Sequence, residues 1–189
     1  MYPDIDLLFL EYKNNIKDSI KYNELIRHPS ILDSWSMNVI KRSNSLRHAY
    51  KNNEMILGRI KEDLSLGLDE EKASYYYEKV YSLYYDAIDD YGIIKLIADY
   101  LIIFYSAIKD YDKLAILYLI LGFETLECFN RNPFYAKKSF EYYKKAISLQ
   151  EHYNEMKDSS ARLAIFKAYY NIIGINAIYV PEVKLHIFD

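Results

Sequence analysis

The sequence has few of the residues that form disulfides, thiolate metal clusters or tight turns. It contains one cysteine, Cys128, with five glycines and four prolines in 189 residues. A single cysteine excludes an intrachain disulfide and a thiolate cluster, and it fits a reducing compartment. The scarcity of glycine and proline leaves few turn sites and favours long helices.

A strong excess of charge and a long apolar run are also lacking. The formal net charge is −3, which argues against a general nucleic-acid binder, because phosphate binding needs a basic surface. The longest apolar run, Leu114 to Phe123, spans only about 15 Å of helix, roughly half of a bilayer core. The start, Met1 to Asp4, lacks the basic residues of a secretory signal. We therefore expect a cytoplasmic protein with neither a membrane-spanning segment nor a nucleic-acid partner.

Apolar residues are abundant, and they follow a helical period along the whole chain. They make up 51% of the residues, and charged residues make up 27%, so the chain can bury a core and is not disordered. The 3.6-residue period predicts helices and no strands. The predicted helices are Pro3 to Ile20, Asp33 to Leu66 (either continuous or interrupted around Asn52 and Asn53), Asp69 to Asp90, Ile93 to Lys109, Lys113 to Phe129, Pro133 to His152, Ser160 to Gly174 and a short one beginning at Pro181. The prediction is an all-α fold of seven or eight helices.

Turn signals divide the predicted helices into two regions. Gly67 is a predicted C′ glycine, Gly92 marks a turn, and Asp158 to Ser160 offer N-caps. We expect residues 1–67 to form less regular N-terminal helices that pack on an array formed by residues 69–189. The helix that begins at Pro181 has only about two turns before the sequence stops, so we expect a fragment of a longer polypeptide.

The helix that begins at Pro133 carries small and aromatic residues at fixed spacing. Phe134 to Leu149 reads FYAKKSFEYYKKAISL, with Ser139 and Ala146 at small positions and Tyr143 at an aromatic one. Small residues let neighbouring helices approach closely, and an aromatic ring fills the remaining space. Four residues of an earlier helix repeat the spacing of the first helix of the same motif: Ala98, Leu101, Ile102 and Tyr105.

These patterns resemble tetratricopeptide repeats over residues 69–189. Helix starts near 69, 113 and 158 give a period of about 44 residues, longer than the family's 34 or so. The helix 113–129 fits either the first or the second place of its pair. The resemblance implies antiparallel helix pairs stacked in a right-handed superhelical array that binds a protein or peptide, without catalytic residues or a cofactor.

A second resemblance concerns residues 162–177. This segment, RLAIFKAYYNIIGINA, is similar to the amino-terminal helical regions of bacterial GGDEF-type diguanylate cyclases. The similarity implies a non-catalytic, sensory and regulatory module of a bacterial signalling protein, whose partner is its own output domain or another protein. The alternative interpretation is a structural or oligomerising scaffold that has no ligand of its own and meets its own copies in a homodimer.

Residues with catalytic or metal-binding chemistry are scattered. The histidines His28, His48, His152 and His186 lie on separate segments, and only His152 has a possible co-ligand, Glu155, on the same helical face. No glycine-rich phosphate loop or nucleophile elbow occurs. We predict no catalytic, cofactor-binding or metal-binding residues. Four lysines after Pro133 are expected to form a solvated face paired with Glu141: Lys137, Lys138, Lys144 and Lys145.

The 22 tyrosines suggest where a partner would bind. On the helix from Asp69, a stripe through Ala73, Tyr77, Val80 and Tyr84 is the predicted core side, which leaves a second, amphipathic stripe. On the helix from Ser160, the stripe expected outside the core runs from Ala164 through Lys167. Alternate helices of a repeat array share one concave side, so we expect both outer stripes to face a partner together. The predicted partner-binding residues are Tyr75, Glu78, Ser82, Tyr85, Lys167 and Asn171. The alternative is that these tyrosines serve ordinary interhelix packing in a chain of biased composition.

Overall fold

The computed structural model describes residues 3–26, 53–85, 91–127 and 133–179. Every secondary-structure element in these ranges is helical, which confirms the all-α prediction for the described part of the chain. The elements are α1 (Pro3–Ile26), α2 (residues 53–65), α3 (Glu70–Tyr85), α4 (Tyr91–Ile108), α5 (Tyr111–Glu127), α6 (Pro133–Ser148), a 3₁₀ turn (Leu149–His152) and α7 (Ser159–Tyr179). Of the second predicted helix, the structure describes only residues 53–65. Cys128, the histidines His28, His48 and His186, and the predicted helix at Pro181 lie outside the described residues.

The chain divides into two compact units, Met1–Gly67 and Leu68–Asp189. In the first unit, α1 begins at Pro3, an N1 proline, and continues six residues beyond the predicted end at Ile20. The Asn15 amide donates a hydrogen bond of 2.9 Å to the Asn53 side chain and so links α1 to the start of α2. The apolar residues that α1 and α2 bury are Leu8, Phe9, Tyr12, Ile56, Ile60 and Leu64.

Helix ends follow the local signals closely in three places. Gly67 has a φ of 105° and its N–H donates to the Leu64 carbonyl at 3.2 Å, as expected for a C′ glycine. The Asp69 carboxylate caps α3 by accepting the Lys72 N–H at 2.8 Å. The Asp110 carboxylate caps α5 in the same way, accepting the Lys113 N–H at 3.1 Å. Only two residues separate α4 from α5, so the chain reverses there and the two helices form a hairpin.

Two glycines lie inside helices, although the sequence pattern placed helix boundaries at them. Gly92 belongs to the first turn of α4, and α7 continues through Gly174 to Tyr179. Glycine costs only about 1 kcal/mol in a helix interior. Each glycine is next to buried isoleucine, Ile93 in α4 and Ile175 in α7, and burying one such side chain contributes about 1.5–3 kcal/mol. Packing therefore outweighs the local preference for a break.

Helix α5 is at the centre of the second unit. It packs against α4, α6 and α7, while α3 packs on α4 and α6 packs on α7. A helix with neighbours on several sides must be apolar around most of its circumference, which explains why no polar face could be identified between Leu114 and Phe123. Ten residues of α5 are buried, and they include the polar pair Glu124 and Thr125.

Helices α5 and α6 approach each other closely at Gly122. The Ser139 hydroxyl donates a hydrogen bond of 2.5 Å to the Gly122 carbonyl. A Cβ atom built on Gly122 would lie 2.6 Å from Cδ1 of Tyr143, so only glycine allows the ring to pack there. Ser139, Tyr143 and Ala146 are all fully buried, which confirms the predicted burial of Ser139 and Ala146 at a helix–helix contact.

Enlarging either small residue of α6 should overpack this contact. We expect Ser139→Leu and Ala146→Leu each to lower the free energy of unfolding by about 1–3 kcal/mol, measured by urea denaturation. The controls are the same substitutions at exposed positions, Ser148→Leu and Ala107→Leu, which should change it by less than about 0.5 kcal/mol. Equal unfolding midpoints for the buried and the exposed variants would contradict the close packing.

Helix α4 is the one described helix that is long and apolar enough to cross a membrane, judged by length and composition alone. The sequence predicted no such segment, because its longest uninterrupted apolar run is Leu114 to Phe123. In α4 the apolar residues are interrupted by Lys95 and Asp99. These two side chains form an ion pair with each other. Core helices have the same composition, and α4 buries six residues while packing on α3 and α5: Ile93, Ile94, Ile97, Ala98, Leu101 and Tyr105.

Candidate functional site

A groove of about 340 Å³ lies between α3, α5 and α7. Its volume is at the lower end of the range typical of binding pockets. The three helices that line it are alternate helices of the chain, each separated from the next by α4 or α6. The lining residues are Tyr84, Leu119, Phe123, Leu163, Phe166, Lys167, Tyr170 and Asn171.

Lys167 and Asn171, two of the six predicted partner-binding residues, line this groove. Helix α3 contributes Tyr84, and the four predicted residues of α3 are not among the lining residues. Of these four, Tyr75 is half-buried, with the Lys79 ammonium 4.9 Å from its ring centroid. The other three are exposed on α3: Glu78, Ser82 and Tyr85.

The buried side of α3 differs from the predicted one by a rotation of the helix. Tyr76 and Leu83 are buried together with Ala73 and Val80, whereas Tyr77 and Tyr84 are half-buried. Tyr77 and Tyr84 turn towards other helices of the unit. The ring of Tyr77 packs edge-on against Tyr105 of α4, at a centroid distance of 6.0 Å. The predicted core stripe was therefore correct at Ala73 and Val80 and only partly correct at its two tyrosines, which are half-buried against other helices.

Tyr84 and Phe123 join α3 to α5 at one wall of the groove. Their rings pack edge to face with centroids 5.6 Å apart, a favourable geometry for aromatic pairs. Burial, with a smaller contribution from the Glu124 carboxylate, raises the pKa of Tyr84 above its ordinary value. Phe123 keeps 39% of its surface exposed and presents an apolar edge to the groove.

The opposite wall is the outer face of α7, which is apolar although it is exposed. Four large side chains of this face recur at spacings of three, four and three residues and keep 51%, 60%, 79% and 56% of their surface exposed; we call them the α7 seam: Leu163, Phe166, Tyr170 and Ile173. The first three line the groove, and Ile173 continues the row beyond it. The inner face of α7 is also apolar, with six buried residues: Ala161, Ala164, Ile165, Ala168, Ile172 and Ile175. Helix α7 is therefore apolar on two sides, and one of the two is exposed to solvent.

Ala164 was predicted to lie outside the core with Lys167 and Asn171, and this was wrong. It is 1% exposed, because α7 packs against both α5 and α6 and buries a wide arc. Sequence reading also missed the α7 seam. The sequence pattern that could have predicted the seam is the three- and four-residue spacing of its large apolar residues. This row lies beside a separate stripe that has alanine at positions 161, 164 and 168.

Lys167 is the one charged residue among those that line the groove. Within the described part of the chain its ammonium forms no ion pair. Arg162, the other charged residue of α7, donates a hydrogen bond to the Met156 carbonyl and stacks over the Tyr153 ring, 5.2 Å from its centroid. No acidic residue occurs in α7. The lining of the groove therefore carries one positive charge, that of Lys167, within an apolar and aromatic surface.

Nearby tyrosine hydroxyls add no negative charge at neutral pH. A hydrogen bond of 3.2 Å joins the hydroxyls of Tyr81 and Tyr85, and this bond together with burial raises the pKa of Tyr81 to about 12. The pKa of Tyr143, which lies behind Gly122, is also raised, chiefly by burial.

The four lysines of α6 are exposed, as predicted, and three of them lie over aromatic rings: Lys138, Lys144 and Lys145. The ammonium of Lys138 lies 5.6 Å from the Tyr91 centroid, and that of Lys145 lies 5.7 Å from the Tyr118 centroid. These are cation–π distances. None of the four forms an ion pair with Glu141 within the described residues, so the predicted pairing was wrong.

His152 and Asp112 fasten the start of α5 to the connection before α7. The His152 ring stacks on Tyr111 with centroids 3.8 Å apart, and its Nδ1 lies 2.8 Å from Oε1 of Glu155. The Asp112 carboxylate accepts the backbone N–H groups of Lys157 and Asp158 at 3.0 and 3.3 Å. This arrangement holds the helices that line the groove in place. Across the described residues, no group of three or more His, Cys, Asp or Glu side chains is placed to hold a metal ion.

Comparison of this chain with protein-family models, with curated proteins and with solved structures finds no match.

Proposed function

We propose that this chain is a non-catalytic protein-binding module of a bacterial cytoplasmic signalling protein, and that the groove between α3, α5 and α7 receives the partner. The observation that carries the proposal is the exposed apolar wall formed by α7, which lies opposite Phe123 and Tyr84. A monomeric protein rarely leaves such a wall uncovered. The partner is another protein or the output domain of the same signalling protein, such as a diguanylate cyclase.

The proposal includes a tetratricopeptide-like, right-handed superhelical array for residues 69–189. Three features support it: the two-residue reversal between α4 and α5, the close contact at Gly122 and Ser139, and the sharing of one groove by alternate helices. In such an array the inner helices line a concave surface. The predicted residues of α3, Glu78 and Tyr85 among them, then extend the binding surface beyond Tyr84.

A second candidate function is an oligomerising scaffold, and the same α7 seam favours it. An apolar face exposed on one copy can pack on the same face of another in a two-fold dimer. The two functions differ in what covers Tyr170, the most exposed member of the seam.

The test places a photo-crosslinking amino acid, p-benzoylphenylalanine, at position 170 in the cells that naturally make the protein. The matched control carries it at Ile103, an exposed apolar position of α4. We expect position 170, and not 103, to capture a distinct protein. That protein is then purified and titrated against the chain, and Phe166→Asp should weaken binding at least about 10-fold whereas Ile103→Asp should not.

Two results would contradict this function. Equal capture from positions 170 and 103, or none from either, would remove the groove as the binding surface. Capture of a second copy alone would establish the scaffold in its place.

A further inference from the structure

The α7 seam has the geometry of a helix–helix interface. Spacings of three and four residues place Leu163, Phe166, Tyr170 and Ile173 along one line on the helix surface. From Leu163 to Ile173 the line extends about 15 Å. Side chains in such a row leave holes that the knobs of a second helix fill.

The charge of α7 determines which kind of helix fits. Arg162 and Lys167 give α7 a net positive charge. Lys167 lies beside the seam, four residues after Leu163 and three before Tyr170, without an ion-pair partner in the described structure. A side chain that approached this point would meet an ammonium group beside an apolar surface, where water screens charges less than in bulk solvent. A carboxylate on the partner would supply the missing charge.

A second copy of this chain fits less well for the same reason. A two-fold related copy packed along the seam would cross near its centre, between Phe166 and Tyr170. That crossing would bring two Lys167 ammonium groups together with no acidic residue on α7 to separate them, and like charges placed opposite each other at an interface disfavour association.

We propose that α7 docks an amphipathic α-helix of a partner protein that has large apolar residues at three- and four-residue spacing and an acidic residue opposite Lys167. This inference rests on the proposed protein-binding function and specifies the partner's chemistry. The partner helix lies along the seam and covers its four apolar side chains, and its acidic residue pairs with Lys167 at the edge of the contact. An added strand is not the expected occupant, because the described residues offer no sheet edge.

Two synthetic peptides of about three heptads each test this proposal. Both peptides carry leucine at the two core positions of each heptad. At the flanking positions one peptide carries glutamate and the other carries lysine. Because all flanking charges of a peptide have the same sign, each peptide repels its own copies. Binding to the full chain is measured by fluorescence anisotropy. We expect the glutamate peptide to bind at least about 10-fold more tightly, with the difference shrinking at high salt.

Charge reversal at Lys167 provides the decisive comparison. Lys167→Glu should invert the preference, so that the lysine peptide binds more tightly. The matched control is Lys137→Glu, an exposed lysine of α6, which should leave the preference unchanged. Phe166→Asp should weaken binding of the glutamate peptide at least about 10-fold. If Phe166→Asp fails to fold by circular dichroism, Tyr170→Asp replaces it, since Tyr170 is 79% exposed.

Several outcomes would overturn the inference. These are equal affinity for the two peptides, no binding of either, or a preference that Lys167→Glu leaves unchanged. A dimer in analytical ultracentrifugation that Phe166→Asp dissociates would assign the seam to a second copy. If position 170 captures a partner through a segment that is neither acidic nor helical, this inference fails while the proposed function stands. If nothing is captured at that position, the proposed function fails.

Discussion

Tyr143→Ala is expected to lower the free energy of unfolding by about 3–5 kcal/mol, the range for removing a large buried aromatic side chain. The ring of Tyr143 is fully buried and packs directly on the backbone of Gly122. Its removal leaves a cavity between α5 and α6 that the two helices cannot close, because the hydrogen bond from Ser139 to the Gly122 carbonyl holds them at their present separation.

The matched control is Tyr170→Ala. It removes the same atoms from a ring that is 79% exposed, so it should change the unfolding free energy by less than about 0.5 kcal/mol. Urea denaturation followed by circular dichroism measures both variants. A loss of less than about 1 kcal/mol for Tyr143→Ala would show that the ring does not fill the space between α5 and α6.

The same substitution, glycine to alanine, is expected to have opposite signs at two positions. At Gly122 the added methyl group collides with the Tyr143 ring, and overpacking of this kind costs about 1–3 kcal/mol. At Gly174, inside α7, a Cβ atom has nothing within 4 Å. The gain in helix propensity is then unopposed and should raise the unfolding free energy by up to about 1 kcal/mol.

A double-mutant cycle identifies the cause of the loss at Gly122. Adding Tyr143→Leu, which removes the ring atoms that the methyl group meets, should recover part of the loss, with a coupling of about 0.5–3 kcal/mol. When Tyr143→Leu is combined with Gly174→Ala, the two changes in unfolding free energy should add. The reason is that a Cβ atom at Gly174 has nothing within 4 Å. If Gly122→Ala stabilises the protein as Gly174→Ala does, the close approach of α5 and α6 is wrong.

The candidate groove could be predicted from the sequence only in part. Lys167 and Asn171 were found because the helical period of α7 separates them from its buried stripe. The contribution of α3 was predicted on the wrong residues, because tyrosines at positions 75, 76 and 77 occupy three faces of one turn. Tyrosine is amphipathic and tolerates both burial and exposure, so this pattern does not determine which face is buried.

The sequence by itself determined the helical class and several helix ends. Pro3 and Pro133 begin helices, Asp69 and Asp110 cap them, and Gly67 ends one. Each of these signals acts within a few residues of the chain, through a fixed φ, a missing N–H or a side chain that accepts a backbone hydrogen bond. Local chemistry is therefore sufficient for them.

Only the tertiary structure decided which helix faces are buried and which remain exposed. Helix α7 is apolar on two sides, and the positions of α5 and α6 determine which of the two is buried. Gly92 and Gly174 remained within helices because packing of their neighbours exceeds the local cost of glycine. The physical reason is the same in each case: the free energy of burying a face depends on the neighbouring helices, and their positions are set by residues far away in the sequence.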